Sequence, residues 1–167
     1  MVIGKVFDVE QVSSAAEACD AAICTIGAPA GFLDRGTTTV YSRAAVALVD
    51  ALGQAGMTRL VFCTSAGVEP HDPGEFLPYR LIAKPLFLQR AYDDMFLAED
   101  IVRCSTLDWT LVRPGRLTNR PGTGNYRVSP RYRPRGGTSI SRADVASFML
   151  DQLTDTRWSR QTPTLTM

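Results

Sequence analysis

The 167-residue chain carries few side chains whose types and spacing could do chemistry together. Tyr79 and Lys84 are five apart. A tyrosine acid supported by a lysine needs the two on one helical turn, four apart, so that both reach one site, and here Pro85 follows at once; the pair reads as a surface feature. Asp93, Asp94 and Glu99 fall in one helical stretch, where a solvated helix face is the simpler reading than a carboxylate cluster. Arg127, Arg131, Arg133 and Arg135 form the one basic cluster, which could meet a phosphate or an acidic substrate but reads first as a solvated ribbon. Ser65, just after an apolar run, is suited to capping a turn. Cys19, Cys24, Cys63 and Cys104 make no C-x-x-C pair and the single His71 lies in a loop, so no metal site is expected and the thiols read as buried and reduced.

The composition sets the frame for these groups. Eighteen Lys and Arg against 17 Asp and Glu leave a net charge of +1, too balanced for electrostatic capture of nucleic acid or an anionic membrane. With 45% hydrophobic and 21% charged residues the chain reads as one soluble globular domain. No apolar run is long enough to span a bilayer and no basic, then apolar, leader opens the chain, so a cytoplasmic protein is expected.

Strand and helix patterns alternate, which predicts an α/β fold with a mostly parallel sheet. Met1–Phe7 reads as a strand, followed by a helix to about Ala18 capped by Asp8, with Val9, Val12 and Ala16 on one face. Asp20–Gly27 is a short apolar strand running into a Pro/Gly/Asp loop that ends near Gly36. Thr38–Ala55 is a long helix with Val40, Ala44, Ala47, Leu48, Ala51 and Leu52 on a face, stopped by Gly56. Arg59–Thr64 is the clearest buried strand, and its end, Thr64-Ser65-Ala66-Gly67, is small and polar, as ligand-facing ends of such strands are. Beyond a loop over Glu69–Pro78, helix runs to about Ser105 with a break at Pro85. Leu107–Val112 is the next strand, ended by Arg113-Pro114-Gly115. Thr118–Thr138 reads as a long loop or ribbon over the sheet. Ser141 caps a last helix with Asp144 in a capping-box position and Val145, Phe148, Met149 and Leu153 on its apolar face, and Thr162–Met167 can add a last strand.

Several motifs in collinear order resemble the atypical short-chain dehydrogenases/reductases of the NAD(P)-binding group that includes NmrA-like proteins and the biliverdin reductase B type of flavin reductase. They are the strand from Val2 to Asp8, Asp20–Gly27, Thr64-Ser65-Ala66-Gly67, Tyr92–Met95 with Glu99, Ser105–Pro114, Gly122–Val128 and Ile140–Ala146. The resemblance implies a Rossmann-like sheet with NAD(P) across the carboxyl ends of its strands. It places the backbone of Val6 at the adenine, where Lys5 stands in for the family's acceptor aspartate and cannot accept a hydrogen bond. Thr25, Ile26 and Gly27 would line the ribose; Thr64 and Ser65 would stand beside the nicotinamide; Pro114, Gly115, Arg116 and Leu117 would wall its other side. Ser65 and Arg116 are the candidate catalytic residues, and the implied reaction is NAD(P)H-dependent reduction of a small flavin-like or quinone-like acceptor. The alternatives are a non-catalytic NmrA-like dinucleotide sensor or interaction protein, and a gene-model fragment.

The family's opening strand, glycine-rich turn G-x-T-G-x-x-G and helix, which hold the pyrophosphate, do not occur in these 167 residues. The expectation is therefore a single NAD(P)-binding-type domain lacking the first βαβ portion of its sheet and incomplete at its N-terminus, with weak or no cofactor binding. Met1–Asp8 would then either pair with Asp20–Gly27 or hang loose beside an exposed sheet edge.

Overall fold

Leu60, Val61 and Phe62 are fully buried, as consecutive strand residues can be when both faces of their sheet are covered. They lie in strand β2 (Arg59–Cys63) of a five-stranded sheet that also holds β1 (Ala21–Cys24), β3 (Asp108–Pro114), β5 (Arg127–Ser129) and β7 (Thr164–Thr166). The order is β1-β2-β3-β7-β5. All neighbours are parallel except β5, which runs antiparallel to β7. A separate parallel pair joins β4 (Arg116–Thr118) to β6 (Ser139–Ser141). The computed structural model describes residues 3–27, 39–74 and 88–167.

Alternation along the strands divides the core. Leu60, Phe62, Trp109 and Leu111 face helices α1 (Val9–Ala16), α2 (Val40–Gln54) and α3 (Gln89–Cys104). Val61, Val112 and Leu165 face α4 (Arg142–Asp151) through Val145, Phe148 and Met149. Helices on both faces of a mostly parallel sheet make the Rossmann-like α/β architecture that the alternating pattern predicted.

Helix ends follow local chemistry. The Asp8 carboxylate accepts from the Gln11 amide at the start of α1, and Ser141 Oγ accepts from the Asp144 amide at the start of α4, both as expected. At the end of α2, Gly56 takes φ +69°, while the Met57 amide donates to the Leu52 carbonyl and the Gly56 amide to that of Gly53. This is the paired closure that a residue in the left-handed region permits.

Three expectations are corrected. Residues Ile3–Phe7 form no strand; Ile3 is exposed, and the segment closes in a turn in which the Asp8 amide donates to the Lys5 carbonyl. Among the described residues β1 pairs only with β2, so the pairing with Asp20–Gly27 does not form for this segment, whose Phe7 ring instead lies under Arg43 of α2. The stretch Thr118–Thr138 is not only loop, because β5 joins the main sheet. Cys19 and Cys104 are exposed, whereas Cys24 is buried and Cys63 half-buried, and all four are free. Tyr79, Lys84, the break at Pro85 and most of the Gly27–Gly36 loop lie outside the described residues.

Candidate functional site

The register of β1, β2 and β3 pairs Cys24 with Phe62 and Cys63 with Val112. The segments that follow these strands, Thr25–Gly27, Thr64–Gly67 and Gly115–Leu117, therefore leave the same carboxyl edge of the sheet. Thr25, Gly27 and Arg116 are exposed and Ser65 is half-buried. A Cβ at Gly27 would meet nothing within 4 Å among the described residues.

A buried ionic network lies directly beneath this edge. Glu99 is fully buried on α3. It accepts from Thr64 Oγ1 at 2.6 Å, from Arg113 Nε at 2.9 Å and Nη2 at 2.6 Å, and from Arg103 Nη2 at 2.7 Å. The Arg113 contact is a two-point guanidinium–carboxylate pair, the arrangement that fixes direction as well as distance. Arg113 Nη1 also reaches Glu69 at 3.1 Å, and Arg131 lies on the far side of Glu69 at 3.4 Å. Burial pushes the Glu69 carboxyl up, but Arg131 and Arg113 outweigh it and hold the group below its ordinary value. One acid from α3 thus ties the end of β2 to the end of β3.

This overturns the solvated-face reading for two of the three acids. Asp93 is exposed, but Glu99 is the centre of the network, and Asp94 accepts from the Tyr41 and Ser42 amides at 2.9 and 3.2 Å. Asp94 thereby caps α2 from a neighbouring helix. The arginine ribbon is likewise partly engaged: Arg131 pairs with Glu69 and Arg133 with Asp72, while exposed Arg127 donates to the Arg135 and Met167 carbonyls.

The individual site residues divide by exposure. The hydroxyl of Thr64 is committed to Glu99. Ser65 Oγ accepts from the Gly67 amide at 3.2 Å, which is the turn cap; its O–H remains able to donate to a ligand. Packing favours Gly67, since a Cβ there would clash with the hydroxyl end of the Tyr92 ring. Pro114 and Gly115 are buried; Pro114 pairs with Leu165, and a Cβ at Gly115 would lie 3.0 Å from the Thr138 carbonyl oxygen. Arg116 and Leu117 stand on β4, both exposed. Half-buried Ile26 packs against the core. Half-buried Val6 sits in the Lys5–Asp8 turn, next to Phe7, whose ring lies under Arg43 of α2. No strand pairing ties Val6 to the other candidate residues.

A model for NAD(P)H-binding domains matches residues 1–156. The chain belongs to this NAD(P)H-binding family. The Bacillus subtilis protein YhfK, described as an uncharacterized sugar epimerase, is 30% identical to this family member over 144 residues, 86% of this chain and 61% of that protein. The chain spans about three-fifths of the length of the first curated relatives it matches. In fold it is similar to a short-chain dehydrogenase/reductase from Veillonella parvula solved with NADP, with TM-score 0.79, 18% identity and coverage of 99% of this chain and 71% of that one. It is also similar to ChuY, an anaerobillin reductase from Escherichia coli O157:H7, with TM-score 0.73, 23% identity and coverage of 98% and 72%.

At this edge the Ser65 O–H can donate and Arg116 is exposed. The start of α2 is not an open anion site: its amides at Tyr41 and Ser42 are already taken by the Asp94 carboxylate. That carboxylate also cancels the positive potential with which a helix N-terminus attracts a phosphate.

Proposed function

We propose that this family member carries the nicotinamide and acceptor side of an NAD(P)H-dependent reductase acting on a small flavin-like or quinone-like acceptor, and that the 167-residue chain alone binds the cofactor weakly. The observation that carries the reading is the cross-brace through Glu99, which holds the Ser65 turn and the start of β4 at fixed positions on adjacent parallel strands. In this reading a nicotinamide cofactor supplies the hydride when bound. Ser65 donates its O–H to orient the ring or acceptor, and Arg116 attracts an anionic acceptor group. No tyrosine in the chain has a lysine four residues on, so no tyrosine acid is assigned, which suits an acceptor that is easily reduced.

The test is a fusion carrying, ahead of Met1, an opening strand, glycine-rich turn and helix of the kind the family resemblance implies, assayed for NADPH oxidation with flavin mononucleotide and simple quinones. Turnover in the fusion, with Ser65→Ala lowering kcat more than it raises the cofactor Kd, supports the reading. Micromolar cofactor binding with no turnover on any acceptor favours the non-catalytic sensor instead, to which the missing tyrosine–lysine pair also points.

A further inference from the structure

A second concavity lies on the α3 side of the sheet, and none of the ten candidate dinucleotide residues lines it. Its volume is about 530 Å³, the size range of small-molecule sites. Four guanidinium groups from separate segments line it: Arg103 in the last turn of α3, Arg113 on β3, Arg131 after β5 and Arg160 before β7. Trp109 and Phe96 supply aromatic wall.

The charge balance selects the ligand. Arg113 is shared between Glu99 and Glu69, Arg131 reaches Glu69, and Arg103 divides between Glu99 and Asp100. Three arginines thus face three carboxylates. Among the described residues Arg160 is the surplus cation: its guanidinium makes one long contact with them, 3.4 Å to the Leu107 carbonyl. Its backbone sits at φ +54°, the one non-glycine residue with positive φ among those described, a conformation that a long side chain seldom adopts and that clusters at ligand clamps. Trp109 is 6% exposed and contributes that exposed margin to the cavity wall.

From this surplus of a single positive charge and an aromatic wall, we infer that the cavity binds a small planar aromatic monocarboxylate. The carboxylate accepts from Arg160, Arg131 closes over it from the rim, and the ring lies against Trp109 and Phe96. A dianionic phosphate would exceed the charge surplus and leave the aromatic wall unused. The inference does not rest on the dinucleotide reading, since the cavity shares the Arg113–Glu69–Arg131 network with that edge but none of the candidate dinucleotide residues.

The experiment uses the 167-residue chain with benzoate as probe, followed by calorimetry and by the indole N–H resonances in ¹H–¹⁵N spectra. The chain has two tryptophans, so Trp158→Phe assigns the Trp109 signal. Benzoate, seated against Trp109, is expected to shift that signal saturably. Arg160→Gln and Arg131→Gln are each expected to weaken binding at least fivefold. Both side chains are exposed, so unchanged melting of the variants shows that the fold is intact. Benzamide and inorganic phosphate are expected to bind at least tenfold more weakly than benzoate. Absence of a saturable shift, undiminished binding in the arginine variants, or equal binding of benzamide or phosphate overturns the inference.

Discussion

Glu99 illustrates how much a single side chain can set. It is fully buried, and removing its charge leaves Arg113 and Arg103 without their shared partner while one carboxylate position can no longer accept from Thr64. Breaking one side of a buried ion pair costs about 3–5 kcal/mol, because the remaining charge stays desolvated. Glu99→Gln is expected to fall at the low end, about 3 kcal/mol, since the amide oxygen still accepts; Thr64→Val removes one charged hydrogen bond and is expected to cost about 1.5–3 kcal/mol. Urea unfolding of both variants checks the ranking. Asp144 offers a pH test. Its carboxyl is held below the ordinary 3.8 by the Gly124 amide, the Ser141 hydroxyl and the Thr123 amide, against the opposing effect of burial. With the folded pKa depressed, its contribution is present above the unfolded value and is lost as pH falls through the folded one. The Thr123 and Gly124 amides are therefore expected to lose hydrogen-exchange protection only below about pH 3.8. In Asp144→Asn the weaker acceptor should leave both amides less protected already at neutral pH.

At the level of elements, α2 shows a local and a long-range solution to its two ends. The C-terminal closure rests on Gly56 at φ +69°, so Gly56→Ala places a Cβ in the left-handed region at a cost of about 1–2 kcal/mol. Gly53 lies within the helix and is exposed, and a Cβ there would meet nothing within 4 Å. Gly53→Ala should therefore stabilise by about 0.5–1 kcal/mol. Opposite signs for two glycines three residues apart, read from thermal unfolding, check the argument. The N-terminal solution is Asp94, and Asp94→Ala should cost about 1 kcal/mol, a typical value for a lost cap. The same cap keeps a phosphate away from the start of α2. The cysteines are also sorted by element: burial raises the Cys24 thiol to about 11, and burial together with Cys24 raises Cys63 to about 12. Alkylation at neutral pH should accordingly label Cys19 and Cys104 before the two strand cysteines.

At the scale of the whole molecule, among the described residues β2 is hydrogen-bonded on both sides and β1 on one. Amides of β1 are expected to exchange faster than those of β2, and hydrogen exchange followed by mass spectrometry resolves the two strands. For cofactor binding, each charge-assisted hydrogen bond contributes about 1.5–3 kcal/mol and each 1.4 kcal/mol is about tenfold in affinity. A site without two or three such bonds to the pyrophosphate should bind NADPH no more tightly than about 1 mM by calorimetry. Micromolar binding would show that another loop holds the phosphates and would overturn the weak-binding part of the proposal. Among the described residues no helix is long and apolar enough to cross a membrane.

Features governed by neighbours in the chain were legible in the sequence. The alternation of strands and helices, the buried run at β2, the caps by Asp8 and Ser141 and the stop at Gly56 depend on periodicity and on hydrogen bonds spanning a few residues. The collinear motifs likewise pointed to the NAD(P)H-binding family. Tertiary structure alone decided which polar residues were inside. Asp94 and Glu99 look like surface acids on a polar helix, because their partners, the amides of α2 and the guanidinium of Arg113, are distant in sequence or on another element. Arg131 meets Glu69 across 62 residues, and β5 finds β7 across a similarly non-local connection. The N-terminal segment failed in the other direction: an apolar run forms a strand only where a neighbouring strand satisfies its amides and carbonyls. Periodicity can mark a face as apolar, but it cannot supply the partner that makes burial of a charge, or pairing of a strand, favourable.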